Sequence, residues 1–135
     1  MTATLPVSTI RIFEEEGVVE HARMLGTDII GPALDKLKAN HEAVGDVRGL
    51  GVFWAIELVR NRSTREPLVP FNASGPAAAP MNELVAACKK AGMWPFTHFN
   101  RIHVVPPCTT SVEDVQHGLA ILDEVLTLAD AHVTG

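Results

Sequence analysis

The sequence predicts an α/β fold, an α+β two-layer sandwich in which helices pack on a sheet of three or four strands, and three observations carry that prediction. Apolar residues recur at helical spacing over 17–40, 81–88 and 112–129. Between these stretches, 44–59 and 93–105 hold β-branched and aromatic residues broken by glycine and proline, the mark of paired strands. The resulting order of helix, two strands, helix, two strands, helix gives a sheet and the helices that bury it. With 135 residues, 47% of them hydrophobic and 20% charged, the chain supports one core, and hence a single domain over 1–135.

A short helix over 8–15 opens the chain. From Gly17 onward Val18, Ala22, Leu25 and Ile29 fall on one helical face. Gly31-Pro32 then predicts a kink or restart, because proline has no amide hydrogen and clashes with the preceding turn, and Leu34 and Leu37 continue the face. Gly45, Gly49 and Gly51 divide 44–59 into a short strand and a longer one. Along the longer strand Val52, Trp54, Ile56 and Leu58 share one side, while Phe53, Ala55 and Glu57 share the other. Both sides are mostly apolar, so both are expected to be covered over part of the strand.

Residues 61–80, with Pro67, Pro70, Pro76 and Ala77-Ala78-Ala79, read as a long loop. Helix returns at Met81, Leu84, Val85 and Cys88, with Lys89 and Lys90 suiting its negative end and Gly92 its C′ position. Short strands follow over 93–96 and 101–105, the second stopped by Pro106-Pro107. The last helix begins with a capping box formed by Thr110 and Glu113. Its stripe is Val112, Val115, Leu119, Leu122, Leu126 and Ala129.

Net charge of −5, spread as mixed signs, argues against nucleic acid and against a charged membrane surface. No apolar run approaches the ~20 residues of a membrane span, and Met1 to Thr9 lack signal-peptide character, which points to the cytoplasm. Cys88 and Cys108 are expected to be free thiols. His98, His103 and Cys108 offer metal-ligand atoms, but five-residue steps on a strand reverse the face and no fourth ligand follows, so no metal site is expected. Gly49 and Gly51 fit tight turning or close packing better than a phosphate nest. Trp54 and Trp94 fit core anchors. Arg48 fits either an anchor for an acid or a partner of a nearby carboxylate.

Three segments agree in order and spacing with a known family. They are Phe13-Glu14-Glu15-Glu16-Gly17; Gly45-Asp46-Val47-Arg48-Gly49-Leu50-Gly51 with its strand ending in Glu57-Leu58; and Arg101-Ile102-His103-Val104-Val105-Pro106-Pro107 with Thr109-Thr110. From about Ser8 to Asp130 the chain resembles the C-terminal small domain of class-III, pyridoxal-phosphate-dependent aminotransferases. The resemblance implies the small-domain fold of fold-type I enzymes and a homodimeric parent. That parent moves an amino group from an amine or ω-amino acid to an oxo acid such as pyruvate. Phe96-Thr97-His98-Phe99-Asn100 is similar to the taurine, β-alanine and 4-aminobutyrate branches.

The resemblance also implies that the cofactor lysine, the acid for the pyridinium nitrogen and the phosphate cradle belong to a large domain. Lys36, Lys38, Lys89 and Lys90 match no cofactor lysine, so no catalytic or cofactor-binding residue, and no cofactor, is expected for this chain alone. In the ω-amino acid:pyruvate branch a carboxylate-binding arginine precedes the Pro-Pro pair by a fixed distance, and Phe96 occupies that slot here. Arg101, five residues on, and Arg48 are the remaining substrate-binding candidates, and the sequence does not rank them. The expected partners are a large aminotransferase domain or a second copy of the chain. A stand-alone interaction module is the alternative, and a small-acid binder using Arg48 or Arg101 a third.

Overall fold

A computed structural model describes residues 4–135. Helix α1, Thr4–Glu15, ends at Gly17, whose φ of 59° is open to a residue without a Cβ. Helix α2, Val18–Met24, runs into a π-helical turn, Leu25–Ile30, and then into α3, Gly31–Asn40. The expected restart at Gly31-Pro32 takes this form. Pro32 lies in the first turn of α3, where no amide is needed, and the Gly31 amide reaches back five residues to the Gly26 carbonyl. The wider turn adds a residue to the repeat. Leu25 is therefore followed on the buried face by Ile30, both fully buried, and the expected Ile29 is only half-buried.

Strands β1, Val44–Leu50, and β2, Phe53–Asn61, form a hairpin. A two-residue β3, Glu66–Pro67, pairs with the far end of β2. With β4, Phe96–His98, and β5, Arg101–Val104, the sheet has the order β1-β2-β5-β4, antiparallel throughout. Four strands cross the domain, and β3 adds a fifth within the stretch that reads as a loop. Leu68 and Val69, next in that stretch, are buried core residues.

Helix α4, Ala79–Lys90, follows a 3-10 turn over Gly75–Ala78 and starts earlier than Met81, with Pro80 in its first turn. It closes as expected on Gly92, φ 95°: the Met93 amide donates to Cys88 O and the Gly92 amide to Lys89 O. Strand β4 begins at Phe96 rather than Met93, because Pro95 has no amide hydrogen for the ladder. Helix α5, Val112–Asp130, is capped by Ser111, which accepts the Asp114 amide, and not by Thr110. The Thr110 hydroxyl is spent on the Pro107 carbonyl, so the cap lies one residue further on.

One sheet face, with Ile56, Leu58 and Ile102, is packed beneath Leu25, Ile30, Leu34, Leu84 and Leu126 in a continuous core. The π turn lies hard on the hairpin: a Cβ at Gly26 would stand 2.1 Å from the Gly51 carbonyl oxygen. Trp54 fills the same junction, half-buried, and donates its indole N–H to that oxygen at 2.7 Å. The opposite sheet face is covered only toward the far end of β2, where Val59 is 5% exposed, while Leu50, Phe53 and Phe96 are 86%, 64% and 67% exposed. Trp94 is exposed as well, with Lys89 Nζ 3.9 Å over its ring, and is not a core anchor. Both cysteines are free thiols. No helix among the described residues is long and apolar enough to cross a membrane.

Candidate functional site

Strand register assembles the open face in rows, since residues directly opposite share a side of the sheet. Leu50 faces Phe53 across the hairpin. Next to them Arg48, Ala55, His103 and Phe96 run across the four main strands, and beyond lie Asp46, Glu57, Arg101 and His98. The three residues singled out from sequence, Arg48, Phe96 and Arg101, thus stand on one surface. Half of it is apolar and half charged.

The two arginines differ in what they hold. The Arg48 guanidinium donates to Asp46 Oδ2 at 2.7 Å and to Glu57 Oε2 at 2.9 Å. Glu57 and then Asp46 raise its pKa. Burial by itself pushes the Asp46 carboxyl up, but hydrogen bonds from Arg48 and Lys38 and their charges bring it below the usual carboxylate range. Arg48 is neutralised twice over. Arg101 donates to His98 Nδ1 at 2.9 Å and meets no carboxylate among the described residues. Its fork is free to take an oxyanion by paired hydrogen bonds.

His103 lies between two aromatic rings, with centroids 6.3 Å from Phe53 and 5.2 Å from Phe96. Burial, then the charges of Arg101, His98 and Arg48, depress its pKa, so its neutral ring belongs to the apolar row. Phe96, where the resemblance puts an arginine in other branches, ends that row at the sheet edge and also lines a groove of about 340 Å³ against α5. The β4–β5 turn carries two residues to which the sequence assigns no role beyond their place in the run Phe96-Thr97-His98-Phe99-Asn100. Phe99 adopts φ 54°, an uncommon state for a bulky residue, and its ring meets Phe71 at 4.4 Å and His98 at 4.1 Å. Asn100 fixes the turn to β2 through its side-chain amide on Leu58 O and its carbonyl under the Leu58 amide, both 2.8 Å. A run of turn residues gives no sign of partners so far back in the chain.

Pyridoxal phosphate needs a lysine opposite an acid, beside a cradle of amides for the phosphate. The described residues do not fit it. Lys38 faces Asp46, Lys89 lies over Trp94, and Lys36 and Lys90 are exposed on α3 and α4. Nor do His98, His103 and Cys108 come together: among the described residues no group of three metal-ligating side chains forms.

The family model for aminotransferase class-III matches residues 1–126. Ethanolamine-phosphate phospho-lyase homolog 1 of Caenorhabditis elegans is 30% identical over 90% of this chain and 25% of its own length. Taurine–pyruvate aminotransferase of Bilophila wadsworthia is 31% identical over 92% of this chain and 27% of its own. A solved structure of taurine:2-oxoglutarate aminotransferase from Bifidobacterium kashiwanohense, in complex with PLP and glutamate, superposes with a TM-score of 0.83. It is 27% identical, over 95% of this chain and 28% of that one. The chain therefore belongs to the class-III aminotransferase family, and it spans about a quarter of the length of the relatives it matches.

Proposed function

We propose that this chain is the C-terminal small domain of a cytoplasmic, homodimeric, pyridoxal-phosphate-dependent aminotransferase that moves an amino group from an amine or ω-amino acid to an oxo acid such as pyruvate. In that reading the lysine and the rest of the cofactor site belong to a large domain, and the chain alone does not transaminate. The observation that carries it is the open sheet face, where Arg101 lacks a counter-charge beside the uncovered apolar row of Phe53 and Phe96. Such a surface serves a cleft wall: the apolar row excludes water and receives a partner surface, while Arg101 takes the acid group of a substrate.

An immunoblot of the source cells with an antibody to this domain tests the assignment. A band far above 14.5 kDa, whose purified protein transaminates, is the expected result. A band at 14.5 kDa overturns it. The exposed Leu50, Phe53 and Phe96 favour one second reading, a stand-alone interaction module that associates with itself or with an intact aminotransferase. A strictly monomeric chain at high concentration that captures no intact relative removes this alternative.

A further inference from the structure

His41 is the buried polar side chain of the described core, 6% exposed, at the point where α3 ends and the chain turns into β1. Its Nδ1 is 2.7 Å from Asp130 Oδ2 and its Nε2 is 3.0 Å from Asp123 Oδ1. The two aspartates lie two turns apart on one face of α5. The second oxygen of Asp130 accepts the Ala43 amide at 2.9 Å, so one carboxylate holds both the ring and the backbone beyond it.

A neutral imidazole has one N–H and one lone pair. In either tautomer it would point a lone pair at one of these carboxylates from a ring that is itself buried. The imidazolium donates to both. We infer that His41 is a proton-operated latch: with both ring nitrogens protonated it ties the α3–β1 junction to the last turns of α5, and loss of the proton releases that seam.

The surrounding charges leave the assignment to these three groups. Arg62, from the turn after β2, donates to the backbone carbonyls of His41 and Lys38 and not to the carboxylates. Lys38 on α3 turns its ammonium to Asp46, and the neighbouring Glu42 is exposed. From β2 the Val59 amide holds the Ala43 carbonyl and adds no charge. Burial, the largest single influence, opposes protonation of the ring, but hydrogen bonds to Asp130 and Asp123, with their charges, outweigh it and raise its pKa. The sign follows. A raised folded pKa means that the latch is fully engaged below the ordinary imidazole value of about 6.5 and is lost as pH rises through the folded value. Strand β1 begins at Val44, just beyond the latch, and carries Asp46 and Arg48, so release loosens an edge strand of the open face.

Ring nitrogen shifts of His41 and hydrogen exchange of the Ala43 amide, followed in the 135-residue chain from about pH 5 to 9, test the latch. Both nitrogens carry protons until the pH exceeds the ordinary imidazole value, and Ala43 protection, corrected for the intrinsic rate, drops with the same midpoint. Asp123 is 54% exposed, so Asp123→Asn spares the core and shifts that midpoint down. A ring that titrates at or below the ordinary value, or Ala43 protection indifferent to the ring's titration, overturns the inference. The wild-type titration decides even if the variant does not fold.

Discussion

Glu57 stands directly across the sheet from Arg101, yet its carboxylate is held by Arg48 at 2.9 Å. Arg48 therefore keeps Arg101 uncommitted by occupying the nearest acid that could neutralise it. In the parent aminotransferase that we propose, Arg101→Gln removes a charge-assisted bond worth roughly 1.5–3 kcal/mol and raises KM for the acid-bearing substrate about ten- to a hundredfold, with kcat little changed. Arg48→Gln raises KM too, because Glu57 is released to Arg101. Adding Glu57→Gln to Arg48→Gln restores it. Steady-state kinetics on the three variants separate this arrangement from one in which Arg48 itself binds the acid.

Two glycine-to-alanine changes have opposite expected signs. At Gly26 the added methyl would lie 2.1 Å from backbone oxygen, so the π turn must lift from the hairpin, at about 1–3 kcal/mol. At Gly118, on α5, the nearest atom is the flexible Met93 sulfur at 3.8 Å, and alanine gains roughly 0.5–1 kcal/mol. Urea denaturation of both variants measures the difference.

The start of α5 distinguishes two adjacent hydroxyls. Ser111→Ala removes the bond to the Asp114 amide and costs about 1 kcal/mol of unfolding free energy. Thr110→Ala loses only an exposed bond to Pro107 O and stays within about 0.5 kcal/mol of wild type. The reverse ranking would restore the Thr110 capping box.

His103 has the opposite pH sign to His41. Its pKa is depressed by burial and by neighbouring positive charge, so the unfolded chain binds the proton more readily. Its contribution is complete above the ordinary imidazole value of about 6.5 and is lost as pH falls through the window below it. NMR titration shows the two rings diverging, and Phe96→Ala, which exposes His103, brings its midpoint back up.

Serine at both Phe53 and Phe96 leaves the core untouched and removes two exposed rings from the open face. Self-association of the isolated chain, read by sedimentation at increasing concentration, falls while unfolding free energy changes by less than about 0.5 kcal/mol.

Local signals gave the helices and the close of α4: the 3.6-residue stripe of α5, the left-handed Gly92 and the strand stop at Pro106 all depend on near neighbours. What escaped depends on distant partners or on small changes of repeat. A single π turn moved burial from Ile29 to Ile30. Leu68 and Val69 read as loop because their partners are in the core rather than in their own periodicity. Thr110 and Ser111 offer the same chemistry one residue apart. Arg48, Phe96 and Arg101 could be named from the sequence, but which arginine is neutralised is decided by cross-strand register. His41 lies 82 and 89 residues from its two carboxylates, beyond any local pattern.

The alternation along β2 divides its residues by consequence. Trp54, Ile56 and Leu58 belong to the packed side, and Phe53, Ala55 and Glu57 to the open side. Substitutions at the exposed open-side positions disturb less packing and cost the fold less, while the packed side admits little change. The strand thus lets recognition drift through evolution, or be rewritten by directed libraries, on a scaffold that need not be re-stabilised at each step.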